Sequence, residues 1–494
     1  MMADGSNGSK KLGVIALAAI VVSAMVGGGI FSLPQNMAAG ASQIAVIIAW
    51  IITGVGVFFI ANTFRTLADA RPDATTGIYA YARLGFGPFA GFTIAWAYWL
   101  CNIFGNVGYA VLLMDALNFF FPGVFTGGNN VWSIVGASVV IWTMNYTVLR
   151  GMRQAAFLNT VGTIFKLVPI ALFIVIMIAV FRWSHFSTDM LGTETIVAEH
   201  IKPLGGMLKQ VKSTMLVTLW AFIGIEGAVV VSGRARSQKD VGKATLLGFL
   251  GCLAIYALLS ILPFGKMYQP ELAGLANPST APLLTQVVGA WGGWVMNIGV
   301  IVAILTSWLA FTIMVAQIPF AAANDRTFPK MFRAENSEGT PTVSLWVTSG
   351  LMQIIMILVY FAHDAWSTML SVTSVMILPP YLACTLYLWK ICATNQYPDN
   401  VPVKKRYAYF CGVAGSLYAV WMVYAAGFTY LLMAFCFLAV GVPIYIITRR
   451  NLFKEKPDQT DRKIFNKGEL IAVIAIVLAA LGSIIALATG CIKL

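Results

Sequence analysis

The stretch that decides the fold is residues 25–36, MVGGGIFSLPQN, which interrupts an apolar run beginning at Leu12. Each glycine in a helix interior costs on the order of 1 kcal/mol relative to alanine. Pro34 follows one turn later and adds a second helix-breaking signal. We therefore predict a membrane-spanning segment over 12–39 that is broken near its middle.

The composition of the whole chain is typical of a membrane protein. Of 494 residues, 59% are hydrophobic and 10% are charged, whereas roughly 25% of the residues of a soluble protein are charged. Apolar stretches of about 20 residues, long enough to cross a hydrocarbon core of roughly 30 Å, recur along the chain. We predict an all-α polytopic membrane protein with about thirteen transmembrane helices. Its predicted parts are an N-terminal tail (1–11), a first five-helix unit (12–181), an extracellular loop (182–210), a second five-helix unit (211–390), two further helices (391–448), a basic linker (449–468) and an extra C-terminal helix (469–494).

The placement of Lys and Arg predicts the orientation. These residues fall in alternate connections between the apolar stretches, and positive residues stay on the cytoplasmic side. We expect a multi-pass protein of the plasma (inner) membrane with its N-terminus inside and Leu494 outside. The net charge of +13 then reflects topology, so we expect no nucleic-acid partner.

Other classes of function lack their sequence signals. The seven cysteines are scattered singly without CxxC spacing, and the three histidines have no metal-ligand spacing. No GxxxxGK[ST] element is present, so we expect no ATP-driven mechanism. No nucleophile–base set is visible in the spans. We predict no cofactor, no metal site and no enzymatic activity.

A second interruption lies at residues 218–237, TLWAFIGIEGAVVVSGRARS, where Gly224 and Gly227 flank Glu226. The broken spans are the first and the sixth, which is the spacing of two five-helix repeats, the second inverted. Unwound backbone at mid-membrane depth is tolerated only where it lines a cavity. Free amides suit a carboxylate and free carbonyls suit an ammonium group, so the pair predicts an α-amino acid site in a secondary transporter. Glycine-mediated helix packing is the alternative.

Three stretches resemble signatures of the amino acid–polyamine–organocation (APC) superfamily. They are MVGGGIFSLPQNMA (25–38), LWAFIGIEGAVVVSGRARSQKDVGKAT (219–245) and FAAANDRTFPKMF (320–332). The resemblance covers nearly the whole chain and is strongest to the basic amino acid/polyamine antiporter branch, in particular to arginine/ornithine antiporters. It implies a LeuT-like 5+5 inverted repeat with discontinuous first and sixth helices. The extra helix departs from the usual twelve spans of the superfamily.

The resemblance also implies a function. We predict a sodium-independent antiporter that exchanges a cationic amino acid for a related amino acid or amine by alternating access, with arginine/ornithine exchange as the main prediction. Lysine/cadaverine exchange, histidine/histamine exchange and proton-coupled symport of a cationic amino acid are the alternatives. The predicted partners are these small molecules and the lipid bilayer, and the sequence leaves open whether the protein forms a homodimer.

The candidate site residues come from the interruptions and from polar residues in other spans. Asn102, Asn106 and Tyr109 form a polar stripe at i, i+4 and i+7 of the third span. Trp220 and Ile223 precede Glu226 by six and three residues, which would place all three on one helical face. The predicted substrate-binding residues are Ala24, Gly27, Gly28, Gly29, Cys101, Asn102, Asn106, Tyr109, Trp220, Ile223, Phe311 and Ser374.

Within that set, we expect the amides of Gly27, Gly28 and Gly29 to hold the substrate carboxylate. Carbonyls near Ala24, Trp220 and Ile223 would hold its amino group. By resemblance Trp220 stacks on the substrate side chain and Phe311 is the inner-gate aromatic, with Trp308 as the alternative if the register slips by one turn. In the tenth span, Ser371, Thr373 and Ser374 each offer a hydroxyl.

Two charged residues are predicted to be gating or proton-linked. Glu226 is an acid inside a membrane span, which is a functional hypothesis by default. Lys166 is the only lysine deep in a span. The resemblance implies that its ammonium bridges the first and fifth helices in place of the sodium ion of sodium-coupled relatives. Asp115 falls off the polar stripe, and we expect it at the surface or in an outer vestibule.

Overall fold

The computed structural model shows a bundle of helices. It describes residues 14, 18, 21–22, 25–74, 78–150, 152–193, 204–226, 238–455 and 463–489. No β-strand occurs among these described residues. The helices are α1 Leu33–Ala38, α2 Gln43–Ala70, α3 Ile78–Phe86, α4 Pro88–Asn118, α5 Val131–Leu149, α6 Met152–Val180, α7 Trp183–Phe186, α8 Met207–Trp220, α9 Gln238–Ile261, α10 Gln269–Ala273, α11 Thr280–Val288, α12 Ala290–Asn324, α13 Thr342–Leu358, α14 Ala365–Ala393, α15 Lys405–Ala426, α16 Phe428–Glu455 and α17 Lys467–Ala488.

The prediction of an all-α polytopic membrane protein is confirmed. Within the described part of the chain, ten helices are long and apolar enough to cross a membrane. The count of thirteen stays a prediction. The first and sixth predicted spans extend into residues outside that part, and in α6 only the shorter apolar stretch Phe165–Val180 is counted. The division into seven sequence parts likewise stays a prediction.

Glycines set several helix boundaries. Gly87, with φ 101°, directly precedes Pro88 at the start of α4. Gly289, with φ 89°, separates α11 from α12 and so divides the long apolar stretch over 283–321. Because residues other than glycine rarely adopt positive φ, these positions let the chain turn sharply between helices.

Two helices form the centre of the bundle. In the most apolar windows of α4 and α14, 83% of residues are buried, against 22% in α17. Helices α4 and α14, with the larger buried fraction, therefore pack against protein on all sides. Helix α17 lies at the periphery, where its apolar face suits lipid.

The packing of the two predicted units is reciprocal. Helix α4, third in the first unit, packs on α14, fifth in the second. Conversely α12, third in the second unit, packs on α6, fifth in the first. This exchange of partners is what two related five-helix units would produce.

One end of the bundle carries ion pairs between elements distant in sequence. Arg83 of α3 pairs with Asp325, just beyond α12, at 2.6 Å, and Lys330 pairs with Glu455 of α16 at 3.0 Å. We call this the inner end, and by the positive-inside rule we expect it to face the cytoplasm.

Candidate functional site

The first interruption lies where the glycines predicted it. Met25 is helical, Val26 and Gly27 are not, and a 3-10 helix follows over Gly28–Ser32. Gly27 is extended, with φ −99° and ψ −175°. The Gly27 amide donates to the Met25 carbonyl at 3.0 Å. The first N–H groups of a helix have no partner within it, so the 3-10 turn that follows presents backbone donors. Ala24 lies outside the described residues.

The glycines of this interruption are closely covered by side chains from other helices. A Cβ atom at Gly27 would overlap the Tyr109 hydroxyl, and one at Gly28 would overlap Ile304. At Gly29 it would lie 2.5 Å from Cζ3 of Trp220. Any larger residue would displace these neighbours, which explains why the sequence has glycine at all three positions.

The second interruption begins at Trp220, where α8 ends. Residues 221–226 continue as hydrogen-bonded turns, and Gly224 has φ 106°. Gly227 lies outside the described residues. The prediction that Trp220, Ile223 and Glu226 share one helical face is wrong for Glu226, because the backbone is no longer a regular helix beyond Trp220.

A cavity of about 30 Å³ lies between the two interruptions. Seven predicted residues line it, from three parts of the chain that are far apart in sequence. They are Cys101, Asn102, Asn106, Tyr109, Trp220, Ile223 and Phe311, and Met25, Gly105 and Thr373 complete the lining. The volume holds about two water molecules. Side chains must therefore move apart before an amino acid can enter.

Several buried polar atoms at this cavity have no hydrogen-bond partner among the described residues. Both amide atoms of Asn106 are unpartnered, as are Oδ1 of Asn102 and Oγ1 of Thr373. Nδ2 of Asn102 donates to the carbonyl of Tyr98 at 2.7 Å. Buried polar groups normally have partners, and leaving them without one costs about 1–3 kcal/mol each. The cavity therefore has unused donors and acceptors for a polar ligand.

Other residues considered from the sequence lie away from this cavity. The Ser374 hydroxyl donates to the carbonyls of Leu216 and Leu370, both at 2.8 Å, so Thr373 supplies the hydroxyl of α14 at the cavity instead. Trp308 is fully buried elsewhere, whereas Phe311 lines the cavity and packs on Tyr109 with ring centroids 6.0 Å apart. Of the two aromatic residues considered for the inner gate, Phe311 is therefore the one at the cavity.

Glu226 lies behind the cavity in a buried hydrogen-bond network. Tyr98 of α4 donates to its Oε1 at 2.9 Å, and Tyr381 of α14 donates to its Oε2 at 2.9 Å. The amide of Gly224 donates to Oε2 at 3.1 Å. A single carboxylate therefore links the second interruption to both central helices.

Lys166 is fully buried in α6. Its helix packs against α9. Its predicted contact with the first helix and its role in place of sodium stay predictions.

A second, larger cavity of about 690 Å³ opens towards the outer end. Asp115 lines it, as expected for a vestibule residue, together with Asp364 and Asn297. Trp366 also lines it and packs edge-to-face on Trp220, with ring centroids 5.5 Å apart. Since Trp220 belongs to the small cavity, this tryptophan pair separates the two spaces.

The sequence profile of the family described as Amino acid permease matches residues 12–420. The chain belongs to the amino acid permease family. This confirms the resemblance to the APC superfamily. Among similar proteins, an "Arginine/agmatine antiporter" of Chlamydia abortus is 54% identical over 494 residues, covering all of both chains. A protein of the same name from Chlamydia trachomatis is 54% identical over 470 residues, 95% of each chain. A "Putative amino-acid transporter" of Clostridium perfringens is 55% identical over 478 residues, 96% of this chain and 98% of that one.

Besides Met25 and Gly105, which line the cavity, three residues of this permease site were missed from the sequence. Tyr98 and Tyr381 are the partners of Glu226. Tyr98 lies one turn before Asn102 and so extends the polar stripe of the third span, whereas Tyr381 lies in an apolar run. Trp366 is the second residue of α14 and lies just after its N-cap residue, Asp364. The Asp364 carboxylate accepts from the Ser367 amide at 3.0 Å. The signal that could have identified the tyrosines is that a buried carboxylate requires donors from other helices.

Proposed function

We propose that this permease is an antiporter that exchanges arginine for agmatine, the amine left when arginine loses its carboxyl group. The observation that carries the proposal is the cavity between the two helix interruptions, where Asn102, Asn106 and Thr373 present unpartnered polar atoms. Glycine-mediated packing alone would leave no reason for these atoms to be buried without partners.

In the proposed complex, the amides of Gly27, Gly28 and Gly29 bind the substrate carboxylate, and the Gly27 amide gives up its bond to the Met25 carbonyl to do so. Carbonyls beside Met25, Trp220 and Ile223 bind the amino group. The side chain extends past Trp220, where a cation–π contact contributes up to roughly 2 kcal/mol once water is excluded. Agmatine lacks the carboxylate, so it binds through its amine, its guanidinium group and the same aromatic surface.

The names of the relatives favour agmatine over ornithine as the exchanged compound. Relatives that match the chain from end to end are named arginine/agmatine antiporters. The sequence prediction of a cationic amino acid exchanged for a related amino acid or amine includes this pair. Asp115 and Asp364 line the outer cavity and would favour entry of either cation.

Alternating access is proposed to use one barrier on each side of the small cavity. The tryptophan pair formed by Trp220 and Trp366 is the outer barrier. On the inner side, Glu226 holds Tyr98 and Tyr381 together, and the Arg83–Asp325 pair closes the bundle further in. We propose that the inner end faces the cytoplasm and that the protein lies in the plasma membrane.

Counterflow in proteoliposomes tests exchange directly. Purified protein is reconstituted into vesicles loaded with agmatine, ornithine, lysine or nothing, and uptake of radiolabelled arginine is followed. An obligate antiporter takes up arginine rapidly only into vesicles with an internal substrate. Equal uptake into empty vesicles would show a uniporter or a proton symporter instead.

Membrane voltage separates the two candidate counter-substrates. Arginine and ornithine each carry a net charge of about +1 at neutral pH, whereas agmatine carries about +2. Exchange of external arginine for internal agmatine therefore moves one positive charge outwards, which costs about 2.3 kcal/mol against an inside-negative potential of about 100 mV. We expect a valinomycin-induced potential to slow arginine/agmatine exchange and to leave arginine/ornithine exchange unchanged. Arginine uptake insensitive to voltage in agmatine-loaded vesicles would contradict the arginine/agmatine stoichiometry.

A further inference from the structure

The extra helix α17 is joined to the inner end of α4 by a single buried carboxylate. Glu469, in the first turn of α17, is 7% exposed. Its Oε1 accepts from the backbone amide of Phe89, the second residue of α4, at 2.9 Å. The bond joins residues 380 positions apart in the chain.

The same carboxylate also caps its own helix. Its Oε2 accepts from the Asn466 amide at 3.0 Å, and Asn466 Oδ1 accepts from the Glu469 amide at 2.8 Å, a reciprocal capping arrangement. One anionic group therefore lies at the N-termini of two helices, where the free N–H groups and the helix dipoles both favour negative charge.

The residue before α4 is adapted to this contact. Gly87 has φ 101°, and a Cβ atom there would lie 2.9 Å from Oε1 of Glu469. Glycine thus serves both the backbone turn and the close approach of the carboxylate. Pro88 contributes no N–H group, which leaves the Phe89 amide as the first donor of α4.

An aromatic cluster surrounds the junction. Phe89 packs on Tyr445 of α16 and on Phe465, which lies two residues before α17, with ring centroids 5.2 and 5.5 Å apart. Tyr445 and Phe465 are 5.4 Å apart. The inner end of α4 is therefore held by packing against α16 and the segment leading into α17, while Glu469 supplies the polar contact.

Helix α4 carries most of the polar surface of the substrate cavity. Asn102 and Asn106 lie on it, as does Tyr98, which donates to Glu226. At about 1.5 Å per residue, Asn102 lies about 20 Å along the helix from Phe89. A shift of the inner end along the helix axis would move these side chains relative to the two interruptions.

We infer that Glu469 is a positioning residue for transport, whose carboxylate fixes the axial position of α4 and so aligns Asn102, Asn106 and Tyr98 at the substrate cavity. This gives the extra helix a role in substrate affinity, and the transport part of the inference rests on the proposed function. The inference does not require Glu469 to touch the substrate.

The test compares Glu469→Ala and Glu469→Gln in the full-length protein. Glutamine keeps an oxygen that can accept from Phe89, whereas alanine does not. Glu271→Ala is the matched control, because Glu271 accepts from the Tyr268 amide at 2.8 Å and caps only its own short helix, α10. Each variant is reconstituted, and exchange kinetics are normalised to the amount of folded protein.

We expect Glu469→Ala to raise KM for arginine about fivefold, or about 1 kcal/mol, at little changed Vmax. Glu469→Gln should stay within about twofold of the parent protein, and Glu271→Ala should not change KM. A purely structural role for α17 would lower the yield or the melting temperature of Glu469→Ala without changing KM, and that outcome would overturn the inference.

Hydrogen exchange gives a readout that needs no substrate. In Glu469→Ala, peptides covering 89–96 and 101–109 should both exchange faster, because the end of α4 is released and the change reaches the cavity. Faster exchange confined to residues 466–472 would contradict the inference even if arginine is not the substrate. Absence of arginine exchange in the parent protein would refute the proposed function and leave this readout to decide the inference.

Discussion

Replacement of Gly29 by alanine tests the link between the first interruption and the tryptophan pair. A methyl group at this position would overlap the Trp220 ring, 2.5 Å from Cζ3, and would lie 2.7 Å from Cη2 of Trp366. Both indole rings are packed against other aromatic or polar groups: Trp366 donates to Asn36 at 3.3 Å, and Trp220 packs on Tyr109. Neither ring can move without disturbing the cavities on its two sides.

The size of the effect follows from the overlap. Ordinary carbon contacts begin at about 3.4 Å, so the rings must shift by about 1 Å or more in a densely packed interior. Extra volume in a packed core typically costs about 1–3 kcal/mol. If this cost falls on the substrate-bound state, affinity for arginine should fall between about 5-fold and 150-fold.

The assay is arginine binding by scintillation proximity, together with exchange in proteoliposomes. Gly251→Ala in α9 is the control, because a Cβ atom there meets nothing within 4 Å. Size-exclusion profiles establish that both variants are folded. Binding by Gly29→Ala within twofold of Gly251→Ala would refute the reasoning that Gly29 allows the aromatic rings to close against the broken helix.

Four further substitutions test other parts of the account by exchange kinetics. Glu226→Gln should slow exchange about tenfold or more, because an amide cannot accept all three donors now bound to the carboxylate; an unchanged rate would remove Glu226 from the mechanism. Asn106→Ala should weaken arginine binding about tenfold, the loss of one hydrogen bond to a charged ligand, and wild-type affinity would exclude it from the site. Asp115→Asn should raise KM for external arginine about threefold and reduce its dependence on ionic strength, without affecting internal substrate; an equal change on both sides would contradict a vestibule role. Lys166→Ala should nearly abolish exchange, and normal sodium-independent activity would refute its role in place of sodium.

Features encoded by short stretches of sequence could be predicted well. The glycine triplet predicted the first interruption, since three glycines followed by a proline weaken a helix locally, whatever their distant neighbours are. The spacing of Asn102, Asn106 and Tyr109 placed three side chains on one face of α4, and all three line the cavity. A helical period is sufficient for such a prediction wherever the helix is regular.

Prediction failed where the backbone leaves the regular period. A regular helix would place Glu226 on the face of Trp220, but the turns after Trp220 place it behind the cavity. In α14, the sequence predicts Ser374 as a substrate-binding residue, whereas its neighbour Thr373 lines the cavity. An error of one residue rotates a side chain by about 100° around a helix, and only packing determines which residue faces inwards.

Contacts between distant parts of the chain could not be predicted. Tyr98 and Tyr381 meet at Glu226 from two different helices. Glu469 reaches the start of α4 from the opposite end of the sequence. Nothing in the neighbourhood of these residues in the sequence identifies the partner, because the contact depends on how the whole bundle packs.

The most direct test of the central claim is a cryo-EM structure of the reconstituted protein with arginine. The account predicts arginine density between residues 27–29 and the turns after Trp220, with contacts to Asn102 or Asn106 and with the helix unwound at both interruptions. Arginine bound elsewhere, or a continuous helix through residues 25–32 in the bound state, would contradict it.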